Sequence, residues 1–559
     1  MNILSTARRT AFALMALVLS SSCAASTEDD ENEQTGASTD ALTHAELASV
    51  MPSHLAIMFA MSWFGIPKSG DPLGPGPDAS WGNWQIPGTC SPKGAPASCV
   101  NGQRDVASRY RPLAGIYSSS GRNDESLARI RLMLSTLRRP CANDVGARID
   151  SFAIQLDGTR YTSLHDSTPA GSAENAYQSL VHTLAEADAA GLTNAVLPGD
   201  DATWYWNNGH WVGLDCKASR ATCVAAVQQD VNDMLAIALK HPSSLRIAGK
   251  PVLYFYVNGQ LTPAEWSSIF AKARATHDFF AIASKQGGGA GPYFAAFDGI
   301  SPWIDSYAWD NTSGATVRAH AAAYAAKQHA ELYASVPAGK VVFGSVTPGF
   351  DDFTNGWSLC KTRQMPRPTE AHPRDPGLLD GSIDFLETKH AKGVILQTWD
   401  DWTEGSFFEP SVSEGTTKLE QLQARLGELY GEPRVTSKPL HDRWVAYGQP
   451  HGCAGAKPSP HIDLCAPPPA TTCGPPTILE PTNGMNVGPS IHLRVSAPSC
   501  IDAMIPYIDS QRAIATTVQG SSIDAWIPVT MGTHTLNVNG WDAKGAVYPS
   551  TKISFTRTY

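Results

Sequence analysis

Eight short, nearly continuous apolar runs punctuate residues 46–450 and alternate with stretches of helical periodicity. The runs are LAIMFAMS from Leu55, SFAIQLD from Ser151, NAVLPGDD from Asn194, PVLYFYVN from Pro251, FFAIAS from Phe279, ISPWIDSYAWD from Ile300, KVVFGSVTPG from Lys340 and GVILQTWDD from Gly393. Unbroken apolarity over six or so residues belongs to a strand buried on both faces, as in a parallel sheet covered by helices. Between the runs lie AENAYQSLVHTLAEADAAG from Ala173, ATCVAAVQQDVNDMLAIALK from Ala221, TPAEWSSIFAKARATH from Thr262, VRAHAAAYAAKQHAELYAS from Val317 and KLEQLQARLGELYG from Lys418. Thr262, Pro263 and Glu265 have the order of a helix amino-terminal cap. This alternation predicts an α/β fold. Eight strands favour a (β/α)8 TIM barrel, while a doubly wound open sheet shares the same alternation.

The ends of the chain read differently. Arg8 and Arg9, the apolar run Ala11 to Leu19, and Ser20, Ser21, Ser22 and Cys23 form a secretion signal over residues 1–23. It is too short to span a bilayer. The Ser-Ser-Ser-Cys exit resembles a bacterial lipobox, so the chain is expected either to be secreted or to be anchored to the cell envelope through lipidated Cys23. Residues 24–45 are acidic and nearly free of large apolar side chains, which predicts a disordered tether. Residues 67–111 are rich in Gly and Pro and read as a long loop over the mouth of the fold. Residues 451–475 are a Cys- and Pro-rich linker, and residues 476–559 alternate with period two through IHLRVS, DAMIPYID, THTLNVNGWD and KISFTRTY, the pattern of a small immunoglobulin-like β-sandwich. Of the 11 cysteines, setting Cys23 aside leaves an even number, as an oxidising compartment would pair them. The candidate pairs are Cys90 with Cys99, Cys216 with Cys223, Cys453 with Cys465, Cys473 with Cys500, and Cys141 with Cys360. No C-x2-C pair supports a zinc site.

A net charge of −10 with no Lys/Arg block in the mature part excludes a nucleic-acid partner, which needs clustered cations. A neutral substrate fits, and 15 Trp and 16 Tyr supply flat faces suited to sugar rings. In barrels the chemistry gathers at the carboxyl ends of the strands. There stand Trp63, Asp157, Asp201, Tyr256, Asn258, Trp309, Asp310, Asp351 and Asp352, with Trp399, Asp400, Asp401, Trp402, Glu404 and Glu409 after the last run. Glycoside hydrolysis needs two carboxyl groups, one to protonate the departing oxygen and one to act as base or nucleophile. Asp401 and Glu404 are the candidate pair, with Trp399 and Trp402 as sugar-facing aromatics that desolvate them. The remaining residues are candidate substrate contacts. An acidic turn that merely caps the next segment is the plainer reading of the same spacing. The histidines lack H-E-x-x-H spacing and are read as structural.

The run QTWDDWTEGSFFEPS, Gln397 to Ser411, resembles the W-N-E-W-x-E-G-x-x-x-E-P signature of the endo-α-mannosidase and endo-α-mannanase group, glycoside hydrolase family 99 and its relatives. It is also similar to the T-W-N-D-Y-G-E-S run of the α-1,3-glucanases of family 71. PLAGIYSSSGRNDESLARIRLML from Pro112 resembles the P-x-x-G-x-Y-S-S-x-D stretch of the first group, and PVLYFYVNG and TPGFDD add to it. The resemblance spans about residues 54–430. It implies a (β/α)8 barrel and endo-acting cleavage of α-linked polysaccharide. The hydrolase reading calls for no metal or organic cofactor, and the chain is expected to be a monomer that touches membrane only through a lipid anchor. By position it implies Asp401 as the first catalytic carboxylate and Glu404 as the general acid. Asp400 stands where the mannosidase pattern has Asn and Asp401 where it has Glu, and Asp401 matches the glucanase side. Glucan against mannan, and retention against inversion, stay open. A glycan-binding or cell-surface scaffold protein without turnover is the rival reading.

Overall fold

The computed structural model describes residues 54–62, 117–122, 124–138, 145–156, 172–200, 219–257, 259–309, 315–352, 363–366, 374–411, 413–447, 473–498, 500–514, 522–542 and 547–558, with shorter pieces near 52, 64, 99–104, 108–114, 204–216 and 518. The signal and tether, Cys23, and most of the 67–111 and 451–475 segments lie outside the described residues.

Eight parallel strands close into a barrel. They are β1 (Leu55–Ala60), β2 (Ser151–Leu156), β3 (Val196–Asp200), β4 (Lys250–Tyr256), β5 (Phe280–Lys285), β6 (Gly299–Pro302), β7 and β8 (Gly393–Gln397). β7 is two short segments, Val341–Val342 and Gly344–Val346, flanking Phe343. The first pairs with β6 and the second with β8, and β8 pairs with β1, so the ring has no free edge.

Side-chain alternation sorts every strand. Leu55, Ile57 and Phe59 share the interior cluster with Ala153, Leu197, Tyr254, Ile282, Phe343 and Ile395. Their neighbours Ala56, Met58, Phe152, Ile154, Leu253, Phe255, Val394 and Leu396 join the helices in the outer layer. Both sets are buried, which is why the runs are apolar throughout. Phe343 fills the closing seam. A Cβ on Gly299 would sit 2.4 Å from its ring and one on Gly393 2.5 Å, so both strands yield space to it.

The outer helices are α1 (Asp124–Leu134), α2 (Ser172–Ala189), α3 (Arg220–Lys240), α4 (Pro263–Arg274), α5 (Val317–Ser335), α6 (Pro376–Thr388), α7 (Thr417–Leu429) and α8 (Lys438–Tyr447). The expected cap at α4 forms in both directions: Glu265 N–H donates to the Thr262 hydroxyl, and Thr262 N–H to the Glu265 carboxylate at 2.8 Å. Only a 3-10 turn, Gly291–Ala295, separates β5 from β6. Among the described residues no helix is long and apolar enough to cross a membrane.

The C-terminal strands β9 (Thr477–Glu480), β10 (Ser490–Ser496), β11 (Ile501–Ile508), β12 (Ser522–Pro528), β13 (Gly532–Asp542) and β14 (Ile553–Arg557) form a sandwich. One sheet orders β9-β10-β12, and β14-β13-β11 run through the other. Leu493 and Ile523 from the first meet Met504, Leu536, Val538 and Phe555 from the second in one core. Two expected disulfides are formed, Cys216–Cys223 and Cys473–Cys500. Cys90, Cys141, Cys360, Cys453 and Cys465 lie outside the described residues, as does the Cys99 side chain.

Candidate active site

At the carboxyl ends of the strands lies a cleft of about 160 Å³ lined by Phe59, Met61, Gln155, Tyr256, Trp303, Asp401 and Glu404. Most of these residues continue the inward alternation: Ile57 and Phe59 on β1 with Met61 just past its end; Ala153 and Gln155 on β2; Tyr254 and Tyr256 on β4; Ser301 on β6 with Trp303 just past its end. Trp303 forms the aromatic wall. It meets Phe59 edge-on at 5.4 Å and Tyr256 at 5.2 Å between ring centres. The buried side chain of Gln397, last residue of β8, fixes that wall. Its amide donates to Pro302 O at 2.9 Å and its oxygen accepts from Ile304 N–H at 2.9 Å, bracketing Trp303.

Both expected carboxylates reach this cleft from the loop after β8. Asp401 is 1 % exposed, and its Oδ1 accepts from the Thr403 hydroxyl and from Glu404 N–H, each at 3.0 Å. Its own N–H donates to the Thr398 hydroxyl. Burial, and next the charge of Glu404, push the Asp401 carboxyl well above the usual carboxylate range. Glu404 is half-buried. Its carbonyl accepts from Asp351 N–H at 2.6 Å, and Gly405 follows at φ +63°, where a Cβ would come within 3.0 Å of Asp351 N.

Other expected contacts stand elsewhere. Trp399 and Trp402 are fully buried and present no face to the cleft, which corrects the expectation that they stack on sugar. Trp399 points into the outer layer, edge-on to Phe152, and Trp402 stacks on Phe407 at 3.9 Å. Asp400 and Glu409, also expected as sugar contacts, lie beneath the loop in an ion cluster with Arg129 of α1. Arg129 donates to Asp400 at 2.6 Å and to Glu409 at 3.3 Å, while Tyr117 OH donates to Glu409 at 2.6 Å. Asp400 Oδ1 also accepts from Met61 N–H at 2.7 Å. Burial raises Asp400 to about 7 against the pull of Arg129. Trp309 is buried against His320 and Tyr324, and Asp352 is buried with Arg363 as its ion partner, so neither reaches the cleft. Asp351 is buried too, with Tyr110 OH 3.4 Å from its carboxylate. Of the aromatic candidates Tyr256 does line the cleft. Trp63, Asp157, Asp201, Asn258 and Asp310 lie outside the described residues.

Sequence reading passed over Phe59, Met61, Gln155 and Trp303. For Trp303 the cause is strand length: β6 stops at Pro302, so the first side chain at its mouth is Trp303 rather than Trp309 or Asp310. Among the described residues no three His, Cys, Asp or Glu side chains gather as a metal site would need.

No family model matches the sequence, and no curated protein matches it. Among solved structures the chain is similar to the GH99 endo-alpha-mannosidase from Bacteroides thetaiotaomicron, with 18 % identity and a TM-score of 0.45 over 69 % of this chain and 100 % of that one. The same enzyme in complex with BIS-TRIS-propane gives 17 % identity and a TM-score of 0.43, over 68 % and 98 %. A glycoside hydrolase-like protein gives 14 % and 0.40, over 69 % and 96 %.

Proposed function

We propose that this protein is an exported, endo-acting glycoside hydrolase that cleaves α-linked polysaccharide, an α-1,3-glucan or α-mannan. The observation that carries the reading is one cleft at the barrel mouth holding two carboxyl groups, Asp401 and Glu404, beside the aromatic wall of Trp303, Tyr256 and Phe59. The motif resemblance of Gln397 to Ser411 supports the substrate class. The arginine pair and apolar run of residues 8–19, with disulfides Cys216–Cys223 and Cys473–Cys500, support export.

The two carboxyls divide the work. Asp401 is the base, since a carboxylate whose pKa is raised towards the working pH takes a proton more effectively than an ordinary one. Glu404, less buried, is the acid that protonates the departing glycosidic oxygen. The active form is the one with Asp401 ionised and the pair's single proton on Glu404, so the raised Asp401 carboxyl sets the pH above which activity appears.

Product analysis on a panel of α-glucans and α-mannans tests the proposal. Wild type releases oligosaccharides, and Asp401→Asn and Glu404→Gln lose turnover while still binding the polymer. On an activated aryl glycoside, whose leaving group needs no proton, Glu404→Gln regains cleavage and Asp401→Asn does not. A wild type that binds glycan but cleaves nothing on the panel supports the scaffold reading instead, and amide variants at full rate overturn these catalytic roles.

A further inference from the structure

The loop that carries both carboxylates, residues 398–411, is neither helix nor strand apart from a bridge at Ser411, so its shape depends on what grips it. One grip is unusual in its aim. Arg374, just ahead of α6, has a side chain with no exposure at all. Its Nη1 donates to Gly405 O at 2.7 Å and its Nη2 to Phe407 O at 2.7 Å, while the guanidinium plane lies 3.8 Å over the Phe407 ring. Nε faces the Glu414 carboxylate at 2.9 and 2.8 Å. Neutralising a buried arginine requires only Glu414. The two carbonyl bonds do something else: they fix the turn directly after Glu404. A lysine holds the charge but cannot fork to both carbonyls and stack as well.

This grip continues into the C-terminal sandwich. Lys418 donates to Arg374 O at 2.5 Å. Glu414 is buried, yet the charges of Arg374, Lys418 and, across the interface, Arg494 hold its carboxyl below the usual range. Arg494 on β10 pairs in register with Asp524 on β12, at 3.5 Å, and the field of Asp524 reaches Lys418. The bond that joins the two surfaces is made by His441 of α8, which lies 2.9 Å from Ala497 O at one ring nitrogen and 2.9 Å from the Thr416 hydroxyl at the other.

We propose that Arg374 is a positioning residue that sets the place of Glu404, and that the sandwich braces it through His441, which ties Ala497 O to Thr416 at the start of α7, two residues after Glu414. The sandwich is then a working part of the barrel's mouth, and this rests on the hydrolase reading above. Substrate binding at Trp303 and Tyr256 is untouched, so the effect falls on turnover.

The test uses full-length Arg374→Lys and His441→Gln. For Arg374→Lys we expect kcat to fall on the order of 100-fold, as for a catalytic group misplaced by about 1 Å, with KM within about twofold of wild type. The acid limb of its pH profile moves as well, because Glu404 no longer sits against Asp401. For His441→Gln we expect about a fivefold fall in kcat and, in both variants, faster amide exchange across residues 398–411. A folded Arg374→Lys protein with unchanged kcat and pH profile overturns the positioning role. If that variant does not fold, His441→Gln decides, and wild-type kcat with wild-type exchange overturns the brace. Should wild type cleave nothing, the hydrolase reading fails by itself, and exchange over 398–411 in His441→Gln still accepts or rejects the brace.

Discussion

Replacing Arg129 by methionine removes the cation that bonds two buried carboxylates, Asp400 and Glu409, and the cost follows from their surroundings. The Arg129 side chain is 5 % exposed, and those of Asp400 and Glu409 are fully buried. Methionine fills similar length but leaves both acids without the guanidinium that bonds each of them. Breaking a buried ion pair from one side costs about 3–5 kcal/mol, because the remaining charge stays desolvated. The loss is pH-dependent. Asp400 is already raised to about 7 with Arg129 present, burial acting first and Glu409 adding to it. A carboxyl with a raised folded-state pKa binds its proton more tightly folded than unfolded, so it favours folding at low pH and loses that contribution as pH rises through its folded value. Without Arg129 the folded value climbs further, and the penalty is larger at pH 8 than at pH 5.5. Urea midpoints at the two pH values, followed by tryptophan fluorescence, measure this. A loss under about 1 kcal/mol at pH 8, or one of equal size at both pH values, would refute the buried ion cluster.

Three more outcomes follow from the barrel and cleft. Because Asp401 must be ionised to act as base and its carboxyl is raised by burial and by Glu404, kcat/KM falls as pH drops through a value above the ordinary carboxylate range; a limb at about 4 contradicts this. Trp303→Ala is expected to weaken oligosaccharide binding by ~1 kcal/mol while leaving the melting temperature close to wild type, since stacking on a half-buried ring contributes about that much; unchanged affinity by calorimetry removes Trp303 from the groove. Phe343→Ala is expected to cost about 3–5 kcal/mol of stability, and Gly299→Ala, damaging alone because its Cβ meets the ring, becomes harmless beside it; strictly additive losses would contradict the seam packing.

The barrel was readable because its strands are buried on both faces, which writes each one as an apolar run. What the runs concealed was their length. ISPWIDSYAWD looks like a single strand, yet β6 ends at Pro302, and following the inward alternation to the end of each strand or one step past it leads to Met61, Gln155 and Trp303 beside the expected Tyr256. Helix α6 was missed because PGLLDGSIDFLET contains two glycines, although Asp375 before Pro376 is a cap signal and its carboxylate does accept from Gly377 N–H. Glu404 and Asp401 were accessible as a pair because their separation is local. Arg374 was not, since its targets lie more than thirty residues away along the chain.

The same distinction explains what the two most recognisable segments have in common. Residues 112–134 and 397–411 are far apart in the chain, and no local rule connects them. In the fold they meet at one point: Arg129 from the first, 271 positions before Asp400 in the second, bonds Asp400 and Glu409, while Tyr117 bonds Glu409 and accepts from Trp402 Nε1 at 3.0 Å. Acids that look like sugar contacts in sequence can therefore belong to a motif for another reason. Asp400 flanks Asp401, and by anchoring Arg129 and Met61 N–H beneath the loop it fixes the backbone from which Asp401 projects into the cleft. A substitution there acts on catalysis through geometry, and it does so without touching the substrate.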